Sequence, residues 1–278
     1  MTAPGLFDTV LLDVNGTLVP SVARPPEQGP ALRRFRALVR RLTAAGVRVG
    51  LCSDSPLEQL RELGTGIGLE AAPGFPVIAE NGNVVADGAA VRVVTPFPAL
   101  PQVRAEVERA AVAHGLRRAA DVTAPEFGGG PPAPGTWAFG ANRRASAGVF
   151  GPPDFVRDAA RCVALRCGDD GVEVSVGLSP DGSCAGIHPY APAELGKRTT
   201  LARLAGERGR RVLMVGNSPA DWIPGVPGVA CAFVADDSVP DDVRDAAWYV
   251  SPGEDLEGVV DILGRVVRRA VPRGAARS

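Results

Sequence analysis

Apolar positions along this chain follow two rhythms. Short unbroken apolar runs predict buried strands at Thr9–Leu12, Val47–Leu51 and Val77–Ala79. Between the first two, Leu32, Phe35, Leu38, Val39 and Leu42 recur at helical spacing. They predict a helix over Ala31–Ala45, with Pro30 near its start and Gly46 as its stop. Pro56–Leu63 opens a second helix. Alternation of strand and helix predicts a parallel sheet with helices on its faces.

The rhythm then changes. Val84-Val85 and Val91–Val94 flank Asp87-Gly88, a hairpin signal. Val103–Ala113 reads as a helix, and Ala124–Gly135, rich in Gly and Pro, as a mobile loop. Thr136–Phe139, Asp154–Leu165, Val172–Leu178 and Ala185–His188 predict strand, helix, strand and strand. Alternation resumes with a helix over Leu195–Arg208, strands at Val212–Val215 and Val229–Val234, and a helix over Leu256–Val267. The basic segment Arg268–Ser278 reads as a frayed tail. The expected organisation is an α/β core over residues 1–85 and 191–278, split by an inserted α+β module over 86–190.

Composition narrows the partners. A length of 278 residues suits one large domain or two smaller ones, and 45% apolar residues support a packed core. A net charge of −1 argues against nucleic acid or an anionic membrane as partner. Arg33, Arg34, Arg36, Arg40 and Arg41 then read as a solvated helix face. Cys52, Cys162, Cys167, Cys184 and Cys231 form no CxxC pair, which favours reduced thiols and a cytoplasmic setting. The first residues lack a basic stretch followed by an apolar core, so no signal peptide is expected. No apolar stretch is long enough to span a bilayer. The oligomeric state is left open.

Four separated pieces carry chemistry. Asp13 ends the first strand and is followed by Val14-Asn15-Gly16-Thr17. Ser53 ends the second strand. Lys197 opens a helix after Gly196, and Gly216-Asn217-Ser218-Pro219-Ala220-Asp221 follows a late strand. In a parallel sheet the strand C-termini share one edge, and ligands bind in the crevice there. A carboxylate at that edge can attack an electrophile or hold a metal, while an ammonium and a hydroxyl suit an anion. Asn15 stands where a proton-transferring acid would be useful, and an amide delivers no proton at neutral pH.

This ordered set resembles the haloacid dehalogenase-like hydrolase superfamily over nearly the whole chain. Ile78-Ala79-Glu80-Asn81-Gly82-Asn83 also resembles the segment before the large α/β cap of the sugar-phosphatase-like (Cof-type) branch. The resemblance implies a Rossmann-like parallel-sheet core with a cap domain, and hydrolysis of a small-molecule phosphate ester through an aspartyl-phosphate. It makes Asp13 the nucleophile and Ser53 and Lys197 phosphate ligands, with Thr17 beside them at the substrate. It places Mg²⁺ at Asp13, the Asn15 main-chain carbonyl, Asn217 and Asp221.

The departures matter as much. Family phosphatases carry Asp at position 15 and usually at position 217, and both are Asn here. Two formal negative charges are missing, so weaker Mg²⁺ binding is expected. Asp54-Ser55 stands where the capped branch often has Gly-Arg. Three readings stay open: a weakened phosphohydrolase, a phosphate-ligand binding protein that never turns over, and a hydrolase acting at carbon, where a halide leaves unprotonated. Either Asn could also be an engineered replacement. His114 and His188 read as surface or capping residues, and Trp137, Arg143 and Arg144 as either cap surface or substrate contacts.

Overall fold

Val10, Leu11 and Leu12 lose all solvent contact because both faces of their strand are covered. Val10 and Leu12 join one apolar cluster, and Leu11 the opposite one, as strand alternation requires. This two-sided burial explains why the strand reads as an unbroken apolar run. The chain's computed structural model describes residues 6–20, 29–69, 75–124, 127, 129–171, 174–179, 181–189, 196–206 and 209–270.

The first half runs β1 (Thr9–Leu12), α1 (Pro30–Ala44), β2 (Arg48–Cys52), α2 (Leu57–Ile67), β3 (Val77–Ala79), β4 (Val84–Asp87), β5 (Ala90–Val93) and α3 (Leu100–Ala113). Then come β6 (Arg117–Arg118), β7 (Thr136–Phe139), β8 (Ala147–Phe150), α4 (Pro153–Asp169), β9 (Val174–Leu178) and β10 (Cys184–Pro189). The chain closes with α5 (Lys197–Gly206), β11 (Val212–Gly216), β12 (Val229–Phe233), α6 (Asp241–Ala246), β13 (Tyr249–Val250) and α7 (Asp255–Ala270).

An eight-stranded sheet has the order β13-β12-β11-β1-β2-β3-β4-β5. The strands from β13 to β3 are parallel, and β4 and β5 add antiparallel at the edge. The amphipathic faces of α1 and α7 cover one side through Leu32, Phe35, Val39, Val259, Leu263 and Val266. On the other side Leu201 of α5 packs with Leu11, Met214 and Phe233. A second, five-stranded sheet has the order β6-β7-β8-β10-β9, with α3 and α4 packed on it. It has its own core, including Val103, Val107, Trp137, Phe139, Phe155 and Val156.

These are the expected layers, an α/β parallel-sheet core and a separate α+β unit, with differences that have physical causes. The hairpin straddles the expected boundary at 85/86, and the large sheet continues through Val93. Trp137 is buried within the second unit, 2% exposed and edge-on to Phe139, and so is not part of its solvated surface. Strand β6 carries two exposed arginines and exists through its pairing with β7, so no apolar pattern announces it. Strand β8, Ala-Gly-Val-Phe, is too short and small-residued to stand out. The expected start of β9 at Val172 and of α5 at Leu195 fall outside the described residues. No helix among the described residues is long and apolar enough to cross a membrane.

Candidate active site

Register places the functional strand ends side by side. Leu12 pairs with Leu51 on one flank and with Val215 on the other. Asp13, Ser53 and Asn217 therefore emerge next to one another just beyond the sheet's C-terminal edge. Gly16 takes a left-handed turn at φ 75°, closed by its N–H on the Val19 carbonyl at 2.7 Å. That turn buries Val14, Thr17 and Leu18 and leaves Asn15 exposed.

Lys197, at the first turn of α5, reaches into the same place. Its Nζ donates to Asp13 Oδ1 at 2.9 Å and to Asp221 Oδ1 at 2.7 Å. All three side chains are almost fully buried. The second oxygen of Asp221 accepts from Ser218 Oγ at 3.1 Å and from the Asn217 and Ser218 N–H groups at 3.3 Å. Only glycine permits this packing at 216, because a Cβ there would lie 2.3 Å from the Asp221 carboxyl carbon.

Electrostatics follow from one ammonium facing two buried carboxylates. Burial pushes the Asp13 carboxyl up to about 7; Lys197 opposes the rise, and Asp221 and Asp54 add to it. Burial alone would lower Lys197, but Asp13 and Asp221 outweigh it and hold the ammonium well above its ordinary value. Two buried carboxylates facing one ammonium leave one formal negative charge in excess, and burial drives Asp13 toward its protonated form.

The two asparagines and their neighbours are wired differently. Asn217 Oδ1 accepts from Thr17 Oγ1 at 3.2 Å, and its Nδ2 donates to Asp236 Oδ2 at 2.8 Å. Thr17 is fully buried, so its hydroxyl serves Asn217. Asp236 was not foreseen: it lies three residues beyond β12, and only its hydrogen bond to Asn217 brings it to the site.

Ser53 is 2% exposed, with its Oγ 3.4 Å from Ser55 Oγ and 3.3 Å from the Ser55 N–H. Next to it, Asp54 meets the second unit. His188 Nε2 lies 2.7 Å from Asp54 Oδ1, and Arg143 Nη1 donates to the same oxygen at 3.2 Å. Burial would raise the Asp54 carboxyl, but His188 and Arg143 outweigh it and hold it well below the usual carboxylate range. Its side chain keeps 53% accessibility although protein crowds around it. His188 is thus no surface residue: it is buried and links the two units. His114 does cap α3 and pairs with Asp158 on the outside. Arg144 pairs with Glu58 across the junction, and its side chain stays half open to solvent.

Among the described residues, the oxygen donors at this edge are Asp13, the exposed Asn15 segment, Asn217 and Asp221. These suit Mg²⁺ in kind, and a cation would answer the surplus charge. The described residues hold no group of three His, Cys, Asp or Glu arranged for a metal.

Comparison with known proteins places the fold. No protein-family model and no curated protein matches the chain. Among solved structures it resembles a haloacid dehalogenase-like hydrolase from Bacteroides thetaiotaomicron, with a TM-score of 0.69 and 16% identity over 94% of this chain and 99% of that one. A candidate HAD/COF-like hydrolase from Plasmodium vivax gives a TM-score of 0.64 and 14% identity over 95% and 96%. A further structure, described as showing a trigonal-bipyramidal intermediate in a phosphoryl-transfer superfamily, gives 0.61 and 12% over 93% and 98%. The chain therefore has the capped, Rossmann-like fold of haloacid dehalogenase-like hydrolases.

Proposed function

We propose that this chain is a haloacid dehalogenase-like phosphohydrolase acting on a small phosphorylated metabolite, with weakened proton transfer. The observation that carries it is the buried meeting of Asp13, Lys197 and Asp221 at the sheet edge, from positions up to 208 residues apart, with Ser53 on the neighbouring strand. The large sheet forms the core, and residues 97–189 form a cap closing over it through Arg143 and His188. Closure would exclude water from the reaction.

An Asp13 oxygen bonds to phosphorus as the bond to the leaving oxygen breaks, and that oxygen departs with the electron pair. Lys197 offsets the charge of the incoming anion, and Ser53 donates to a phosphoryl oxygen. Water then attacks phosphorus, the bond from phosphorus to the Asp13 oxygen breaks with its electron pair returning to the carboxylate, and the water's proton passes to the departing phosphate. Mg²⁺, when bound, supplies positive charge to the phosphoryl oxygens. Asp13, the Asn15 carbonyl, Asn217 and Asp221 would hold it, and Asp221 also orients the ammonium. Among the described residues Asp54 does not replace Asn15: held ionised by His188 and Arg143, it is no proton donor at neutral pH.

Leaving groups that need no proton should therefore be favoured. We expect turnover of p-nitrophenyl phosphate to exceed that of an alkyl sugar phosphate. Asn15→Asp should raise the alkyl rate by about 10²–10⁴-fold, the usual worth of general acid–base help. The decisive measurement is a phosphate-ester screen of both chains with and without Mg²⁺. Equal rates on both substrates, unchanged by the substitution, would overturn the assignment of Asn15. Phosphate-ester binding without any product would favour the non-catalytic alternative, and halide release from 2-haloacids the hydrolase acting at carbon.

A further inference from the structure

Glu80 is fully buried at the junction of cap and core, and its two carboxylate oxygens point into the cap. Oε1 accepts the Arg144 N–H at 2.8 Å; Oε2 accepts the Ala145 N–H at 2.8 Å and Ser146 Oγ at 2.6 Å. The cap loop between β7 and β8 thus closes around a core carboxylate, and Ala145 packs into the core's own apolar cluster. The backbone beneath this clasp is unusual. Glu80, Asn81 and Gly82 are consecutively left-handed, at φ 50°, 57° and 94°. Side-chain-bearing residues adopt that region only where surrounding contacts impose it.

The same turn holds both candidate phosphate ligands. The Glu80 N–H donates to the Ser55 carbonyl and the Asn81 N–H to the Ser53 carbonyl, each at 3.1 Å. Gly82 lies flat on the backbone that leads into α5, where a Cβ would come within 2.5 Å of the Lys197 nitrogen. Its carbonyl accepts Thr200 Oγ1 at 2.9 Å. One turn therefore touches the cap loop, the Ser53 segment and the start of the Lys197 helix.

We propose that Glu80 is a positioning residue: by clasping the cap loop it locks the left-handed turn, and the turn sets where Ser53 and Lys197 stand. Docking of the cap and alignment of the phosphate ligands become one event. This rests on the phosphohydrolase reading only in naming Ser53 and Lys197 as phosphate ligands.

The test approaches the clasp from both sides. Glu80→Gln keeps the shape and removes the charge; Ser146→Ala removes one donor from the cap. Glu58→Gln weakens a different cap–core pair, made by the Arg144 guanidinium, and leaves the Arg144 N–H on Glu80 in place. Binding of inorganic phosphate in the presence of Mg²⁺ is measured by calorimetry, and amide exchange is followed at 144–146 and 196–200. Glu80→Gln should weaken phosphate about ten-fold and speed exchange in both segments. Ser146→Ala should act in the same direction, and the double variant should be no worse than Glu80→Gln alone. Glu58→Gln should leave phosphate affinity as in the parent.

Faster exchange confined to 144–146, with 196–200 unchanged, would reduce Glu80 to simple glue between domains and overturn the proposal. So would lowered thermal stability with parental phosphate affinity. If the parent binds no phosphate, the phosphohydrolase reading fails, and the exchange at 196–200 still decides the role of Glu80.

Discussion

Replacing Lys197 by Met keeps side-chain length and removes the one charge shared by Asp13 and Asp221. In the parent the ammonium sits 2.9 Å and 2.7 Å from their oxygens, with exposures of 9%, 11% and 1% for the three side chains. Stripping one partner from such a buried arrangement costs about 3–5 kcal/mol, because the remaining charges stay desolvated. At an unfolding entropy of about 2.1 cal/mol/K per residue, a 278-residue chain should lose about 5–9 °C in Tm. The assay is thermal unfolding at pH 8 without divalent metal. Adding Asp13→Asn to Lys197→Met should recover much of the loss, since one unpaired carboxylate becomes neutral. Mg²⁺ should raise the Tm of Lys197→Met more than that of the parent, because the ammonium no longer competes for Asp13. A loss below about 1 kcal/mol, the worth of a solvated pair, would mean that water reaches both carboxylates and that the site is not the dry cluster described.

Two further outcomes follow from the same geometry. Asp13 titrates near 7 when folded, above the ordinary value of about 3.9. The folded state therefore binds the extra proton, and its contribution to stability, complete below about pH 4, should be lost as pH rises through about 7. Denaturant unfolding of the metal-free protein should show this decline and Asp13→Asn should lack it; parallel profiles would refute the shift. Gly216→Ala puts a methyl group against the Asp221 carboxyl. It should cost about 1–3 kcal/mol in denaturant unfolding and weaken phosphate binding by displacing Lys197, whereas an unchanged midpoint would show that Asp221 can move aside freely.

Much of this molecule was legible along the chain because the forces involved are local. Two-sided burial makes β1, β2 and β11 apolar runs, and one-sided burial gives α1 and α7 their stripes, so strands, helices and the sheet's functional edge could be read directly. Asp13, Ser53, Lys197 and Asp221 were legible for the same reason: each sits where an element starts or stops. What the spacing did not reveal was partnership. That Asp221 turns both oxygens toward Lys197 and the Ser218 turn, that Thr17 serves Asn217, that His188 leaves the surface for Asp54, and that Glu80 grips the cap loop are contacts across 24 to 200 residues of chain. A side chain's character sets which partners satisfy it when buried, but the packing of distant elements chooses among them. That choice belongs to the folded molecule, because the low-dielectric junctions that make each pairing obligatory exist only once the distant strands and helices have packed.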